Sequence, residues 1–150
     1  MRIALGADHA GYELKRLLRG FIADMGHEVT DMGCYDAQRV DYPDIGIALG
    51  SAVANGECDL GVLVCGTGIG MSIAANKVRG VRCALCGDAV SARFAREHND
   101  ANILALGARI IGDETAKAIV AAWLGAEFGG GRHAHRLDII AQYENTEAAK

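Results

Sequence analysis

The chemistry of this chain concentrates in six consecutive residues, Cys65-Gly66-Thr67-Gly68-Ile69-Gly70. The thiol closes an apolar run, Leu60–Cys65, that reads as a buried strand. Three glycines then let the backbone turn sharply and aim N–H groups into one small space. Residues 70–77 continue as a helix, whose N-terminal end adds partial positive charge. A potential base thus stands beside donors suited to an oxyanion. Removing a proton next to a carbonyl needs that pairing, because it leaves an enediolate to be stabilised. A glycine turn of this kind can also be a passive cradle for a phosphate, and a free cysteine can be a small core hydrophobe. The segment alone leaves both readings open.

Such a site needs a scaffold, and the apolar pattern supplies one. Strands are expected over Arg2–Ala7, Glu28–Asp31, Leu60–Cys65, 81–86 and 103–106. Helices are expected over 12–25, 43–54, 70–77, 89–98 and 114–124, and from 136 to about 143. In the first helix Leu14, Leu17, Leu18, Phe21 and Ile22 fall on one face and Gly26 stops it; Pro43 suits the start of the second. Strand and helix alternate throughout. That predicts an α/β fold of one domain, residues 1–150, with a five-stranded parallel sheet and helices on both faces. Ligands of such sheets bind beyond the carboxyl ends of the strands. Asp8 and His9 follow strand one, Cys65 to Gly70 strand three, Asp88 strand four, and Gly107 to Arg109 strand five. The last helix, beyond Gly129-Gly130-Gly131, carries Leu137, Ile139, Ile140 and Tyr143. The hinge gives it reach, so docking on a second subunit is favoured over covering its own core.

Composition narrows the classes. The chain has 150 residues, 51% hydrophobic and 23% charged, as in ordinary globular domains. Net charge is −4 and the pI is near 5.7, which argues against a broad nucleic-acid surface. No signal-peptide pattern opens the chain, and no apolar run approaches the roughly 20 residues of a membrane span. Five cysteines without a secretion signal fit free thiols in a reducing cytoplasm. Cys83-Ala-Leu-Cys86 has the spacing of a redox or zinc pair, but within a strand those positions face opposite sides, so no metal site is expected. Trp123 reads as core or interface and His27 as surface.

Several segments together resemble one family. They are Gly6-Ala7-Asp8-His9-Ala10-Gly11, Asp41-Tyr42-Pro43-Asp44, the cysteine loop, Ala74-Ala75-Asn76-Lys77, His98-Asn99-Asp100-Ala101-Asn102, Trp123-Leu124-Gly125 and Gly131-Arg132-His133-Ala134-His135-Arg136. In this order they resemble type B ribose-5-phosphate isomerases, within the family that includes galactose-6-phosphate isomerase subunits. The resemblance implies a Rossmann-like α/β/α sandwich acting as a homodimer, sometimes a dimer of dimers. It implies interconversion of ribose 5-phosphate and ribulose 5-phosphate through a cis-enediolate, with no metal or other cofactor. Carried over by position, Cys65 moves the proton, and Gly66, Thr67, Gly68, Ile69 and Gly70 form the anion hole, with the Thr67 hydroxyl helping. His98 opens the furanose ring, and Asp8 and Asn99 bind sugar hydroxyls. His9, Arg132 and Arg136 bind the phosphate, with Arg109 nearby. Some of these residues would come from the partner chain. A subgroup of the family uses a glutamate later in the loop; here Met71 stands there, so the chain reads as the cysteine type. His133 and His135 receive no role. The same chemistry on a tetrose, galactose or allose phosphate, and a binding module without catalysis, are the rival readings.

Overall fold

The computed structural model describes residues 1–147. Five strands form one sheet with every neighbouring pair parallel: β1 (Arg2–Ala7), β2 (Glu28–Asp31), β3 (Leu60–Cys65), β4 (Cys83–Leu85) and β5 (Ile103–Gly107), in the order β2-β1-β3-β5-β4. Six helices complete it: α1 (Tyr12–Asp24), α2 (Tyr42–Ala54), α3 (Ile69–Ala75), α4 (Ala89–Asn99), α5 (Asp113–Leu124) and α6 (Arg132–Glu147). None is long and apolar enough to cross a membrane.

The alternation of side chains along β3 builds a core on each face of the sheet. Val62 and Val64 pack with Leu14, Leu18 and Ile22 of α1, Ala92 of α4, and Ile119 and Trp123 of α5. Leu63 and Cys65 turn the other way, toward Leu49 of α2 and Met71 and Ala75 of α3. Each Leu or Ile fully buried in this way stabilises the fold by roughly 1.5–3 kcal/mol. Trp123, fully buried, belongs to the core. The same parity sends Cys65 out on the α2/α3 side, where β3 ends.

Three elements differ from the sequence expectation by two residues or more at one or both ends, and the boundaries of the others agree to within one residue. The fourth strand shrinks from 81–86 to Cys83–Leu85, because the N–H groups of Arg82 and Cys83 donate to Asn102 Oδ1 and Asn76 Oδ1, each at 2.8 Å. The third helix starts a residue earlier, at Ile69, and stops at Ala75, where Lys77 and Val78 bond back only three residues. The last helix begins at Arg132 rather than Arg136. Gly130 and Gly131, at φ of 60° and 55°, reverse the chain just before it.

Candidate active site

A cavity of about 250 Å³ opens at the carboxyl ends of β1, β3 and β5. It lies where the chain order changes direction between β1 and β3, the position at which open parallel sheets leave a crevice. Asp8 and His9 come from the end of β1, Cys65, Gly66 and Thr67 from β3, and Arg109 from β5, as expected. Ala10, Gly70 and Tyr42 complete the wall.

The glycine loop is stitched in place by backbone bonds. Ala108 N–H donates to the Cys65 carbonyl at 2.8 Å and Arg109 N–H to that of Gly66 at 2.9 Å. These bonds lay the Arg109 side chain over Gly66; a Cβ there would sit 3.5 Å from Arg109 Nη1. Gly68 adopts φ of 77° and donates its N–H to Cys65 Sγ at 3.0 Å, which fixes the direction of the sulfur. Ile69 N–H donates to Thr67 Oγ1 at 3.3 Å, and the Ile69 side chain points instead into a neighbouring apolar cavity with Leu85 and Ile110. Two of the five loop N–H groups expected to hold an anion are therefore committed within the loop.

The other walls follow from local structure. Asp8 Oδ1 accepts from the N–H groups of Ala10 and Gly11 at 2.9 and 3.0 Å, so the carboxylate also organises the start of α1. His9 Nδ1 is buried without a hydrogen-bond partner, a rare condition that polar ligands relieve. Tyr42 was not singled out from sequence. Its ring lies against Gly70, where a Cβ would come within 2.9 Å of Cε2 and Cζ. The Asp41-Tyr42-Pro43-Asp44 segment was the available signal, but an aromatic before a helix-opening proline carries no chemistry of its own.

The remaining expected residues lie elsewhere in the chain. His98 is sandwiched between Phe94, at 4.7 Å between ring centroids, and His133, at 4.3 Å, with planes within 12° of parallel. Arg132 and Arg136 flank His133 one turn apart on α6, both exposed. Desolvation, then the charges of His98 and the two arginines, push the His133 pKa down. Asn99 lines a third groove, with Leu137 and Ile140 of α6. Within one chain, then, the expected site falls into two halves: the cavity around Cys65, and the His98, Asn99, Arg132 and Arg136 cluster.

Three of the other thiols have their pKa raised by their surroundings. Burial pushes Cys83 up to about 12 and Cys86 up to about 11, and the two pack on opposite faces of the sheet. Cys34 is also raised by burial, although Lys15 opposes the effect. His27, expected at the surface, is half-buried.

Comparison with known proteins matches residues 3–140 to a family described as Ribose/Galactose Isomerase. The chain is 48% identical over 143 residues to ribose-5-phosphate isomerase B of Escherichia coli K12, covering 95% of this chain and 96% of that one. It is 46% identical over 149 residues to D-erythrulose-4-phosphate isomerase of Pectobacterium atrosepticum, covering 98% and 97%. Among solved structures, ribose-5-phosphate isomerase B of Clostridium thermocellum superposes with a TM-score of 0.96 at 52% identity, over 98% of this chain and 99% of that one.

Proposed function

This chain belongs to the ribose/galactose isomerase family and is a sugar-phosphate isomerase, and we propose that it interconverts ribose 5-phosphate and ribulose 5-phosphate with Cys65 as the base. The observation that carries the proposal is Cys65 Sγ, held by the Gly68 N–H in the wall of a cavity shared with Asp8, His9 and Arg109.

The chemistry follows from that arrangement. His98 protonates the ring oxygen as its bond to C1 of the furanose breaks, and the C1 hydroxyl gives up its proton to solvent, leaving the open aldehyde. The Cys65 thiolate takes the proton from C2. The electron pair of that C–H bond becomes the C1–C2 double bond, and the carbonyl oxygen becomes an oxyanion. The N–H groups of Gly66, Thr67 and Gly70 hold it, since those of Gly68 and Ile69 are committed. A proton passes from O2 to O1, and Cys65 returns its proton at C1 to give the ketose. Asp8 and Asn99 bind the sugar hydroxyls. His9, Arg132 and Arg136 hold the phosphate with Arg109 nearby, arginine being suited to bidentate binding.

A second copy of the chain completes the site. His98, Asn99, Arg132 and Arg136 stand apart from Cys65 in one chain, and a two-fold dimer brings the halves of two chains together. The apolar surface supports this: Ile69, Ile73 and Ile110 are each more than half exposed, as are Ile139 and Tyr143 of α6. Free thiols throughout fit work in a reducing cytoplasm.

The test is turnover of ribose 5-phosphate by wild type and Cys65→Ala, with EDTA present, alongside sedimentation. The expected result is fast turnover by a dimer, abolished in the variant. Full activity of Cys65→Ala would remove the base, and full activity of a monomer would remove the shared site. The D-erythrulose-4-phosphate isomerase relative makes tetrose phosphate the rival substrate. A higher kcat/KM on it would replace the pentose.

A further inference from the structure

The His98-Asn99-Asp100-Ala101-Asn102 run ends α4, and the proposed reaction uses only its first two residues. Asp100 is the one non-glycine residue with positive φ among the described residues, at φ 43° and ψ 43°. Most side chains disfavour this left-handed conformation, aspartate and asparagine least, and local hydrogen bonds hold a residue in it. Helices commonly stop this way with glycine, which meets no such resistance. Here the stop is an aspartate, and two arginines hold it.

Arg82 donates from Nε to the carbonyls of Asn99 and Asp100, at 3.0 and 3.1 Å. Its Nη2 reaches the Asp100 carbonyl at 2.9 Å and Oδ2 at 3.1 Å. Arg96 closes the other side, from Nη1 to Asp100 Oδ1 at 2.7 Å and to the Ala101 carbonyl at 3.0 Å. All three ionic groups are mostly buried, with at most 34% of any side chain exposed. The last turn of α4 is thus tied through one carboxylate to its own preceding turn and to the segment entering β4. His98 sits in that turn, its ring against Phe94 one turn earlier.

We propose that Asp100, held left-handed by Arg82 and Arg96, is a positioning residue that aims His98 and Asn99 at the substrate. If the carboxylate is lost, the last turn of α4 relaxes and the His98 ring is no longer held where a ring oxygen can meet it. The inference rests on the reading of His98 as the ring-opening acid.

A comparison of two rates isolates this role. Ribose 5-phosphate must be opened before it reacts. Ribulose 5-phosphate is already open, and exchange of its C1 proton with D2O needs the base and oxyanion donors but no ring step. The ratio of that exchange rate to isomerisation from ribose 5-phosphate therefore reports ring opening. A defect that only lowers the amount of folded dimer lowers both rates and leaves the ratio unchanged. His98→Asn is expected to raise the ratio by about 100-fold, and Asp100→Ala by about 10-fold, the size of effect that misplacement of a catalytic group produces. Asp100→Asn, which tolerates positive φ and keeps an acceptor, should restore most of it. Asp100→Gly accepts the backbone conformation without strain and keeps the test valid should Asp100→Ala fail to fold. An unchanged ratio in Asp100→Gly and Asp100→Ala, with His98→Asn shifted, would overturn the positioning role. An unchanged ratio in His98→Asn would overturn the acid assignment, and this inference with it.

Discussion

Gly68→Ala tests whether the glycine loop is built around Cys65. Gly68 has φ of 77°, and its N–H donates to the sulfur at 3.0 Å. A Cβ at this position would overlap Leu85 Cδ1 and lie 2.9 Å from the Leu106 carbonyl carbon and 3.1 Å from its oxygen. Leu85 is 44% exposed and can swing aside. Leu106 is backbone in the fully buried β5 and cannot. The loop must therefore move. The left-handed conformation costs an alanine about 1–2 kcal/mol, and the forced displacement adds about 1–3 kcal/mol. Taking about 3 kcal/mol in all, the melting temperature should fall by about 10 °C. Activity should suffer more. The moving loop lengthens and misaligns the Gly68 N–H···Sγ bond, so the sulfur loses its fixed direction, and misplacing a reacting group by about 1 Å can lower kcat by about 100-fold. Circular dichroism melts and initial rates on the same preparations measure both. Gly20→Ala is the control: nothing lies within 4 Å of its Cβ, in the middle of α1. It should stabilise by up to about 1 kcal/mol and leave kcat unchanged. A Gly68→Ala enzyme with wild-type kcat and melting temperature would refute the account of the loop.

Other expectations follow from single contacts. Lys15, 1% exposed, donates to Asp31 Oδ1 at 2.6 Å and to the Cys34 carbonyl at 2.7 Å, pinning the segment that leads from β2 toward Tyr42. Lys15→Met should destabilise by about 3 kcal/mol, with part recovered in Lys15→Met/Asp31→Asn; thermal melts that show less than about 1 kcal/mol would refute it. Asp88 accepts from Ser91 N–H at 2.8 Å and Ser91 Oγ at 2.7 Å at the start of α4, and these bonds hold its pKa below the usual 3.8. Its contribution is thus complete above the unfolded-chain value and is lost as pH falls through the lower folded value. The stability gap between wild type and Asp88→Ala should be full at neutral pH and close below about pH 4. Iodoacetamide at neutral pH should modify Cys65, which lines the open cavity, before Cys83 and Cys86, with activity lost in step and sugar phosphate protecting; peptide mass mapping decides the order.

Much of this protein is decided by short-range pattern. The apolar run Leu60–Cys65, the glycines behind it and the helical spacing of Leu14, Leu18 and Ile22 specify local conformation, so strand, turn and helix were legible from neighbouring residues alone. The placement of Asp8, Cys65 and Arg109 at one edge followed from the same alternation, because a parallel sheet puts all strand ends together. The helix boundary at Arg132 is not legible locally, because the run Gly129-Gly130-Gly131 looks like a break whether the helix resumes at once or later. What the tertiary structure alone decided are contacts between distant segments. The order β2-β1-β3-β5-β4, the Tyr42 ring against Gly70, the burial of Lys15 and the arginine clamp on Asp100 each join residues that no local spacing relates. So does the separation of His98 from Cys65. Local chemistry marks both residues, but whether they share one pocket depends on the path of the chain through space.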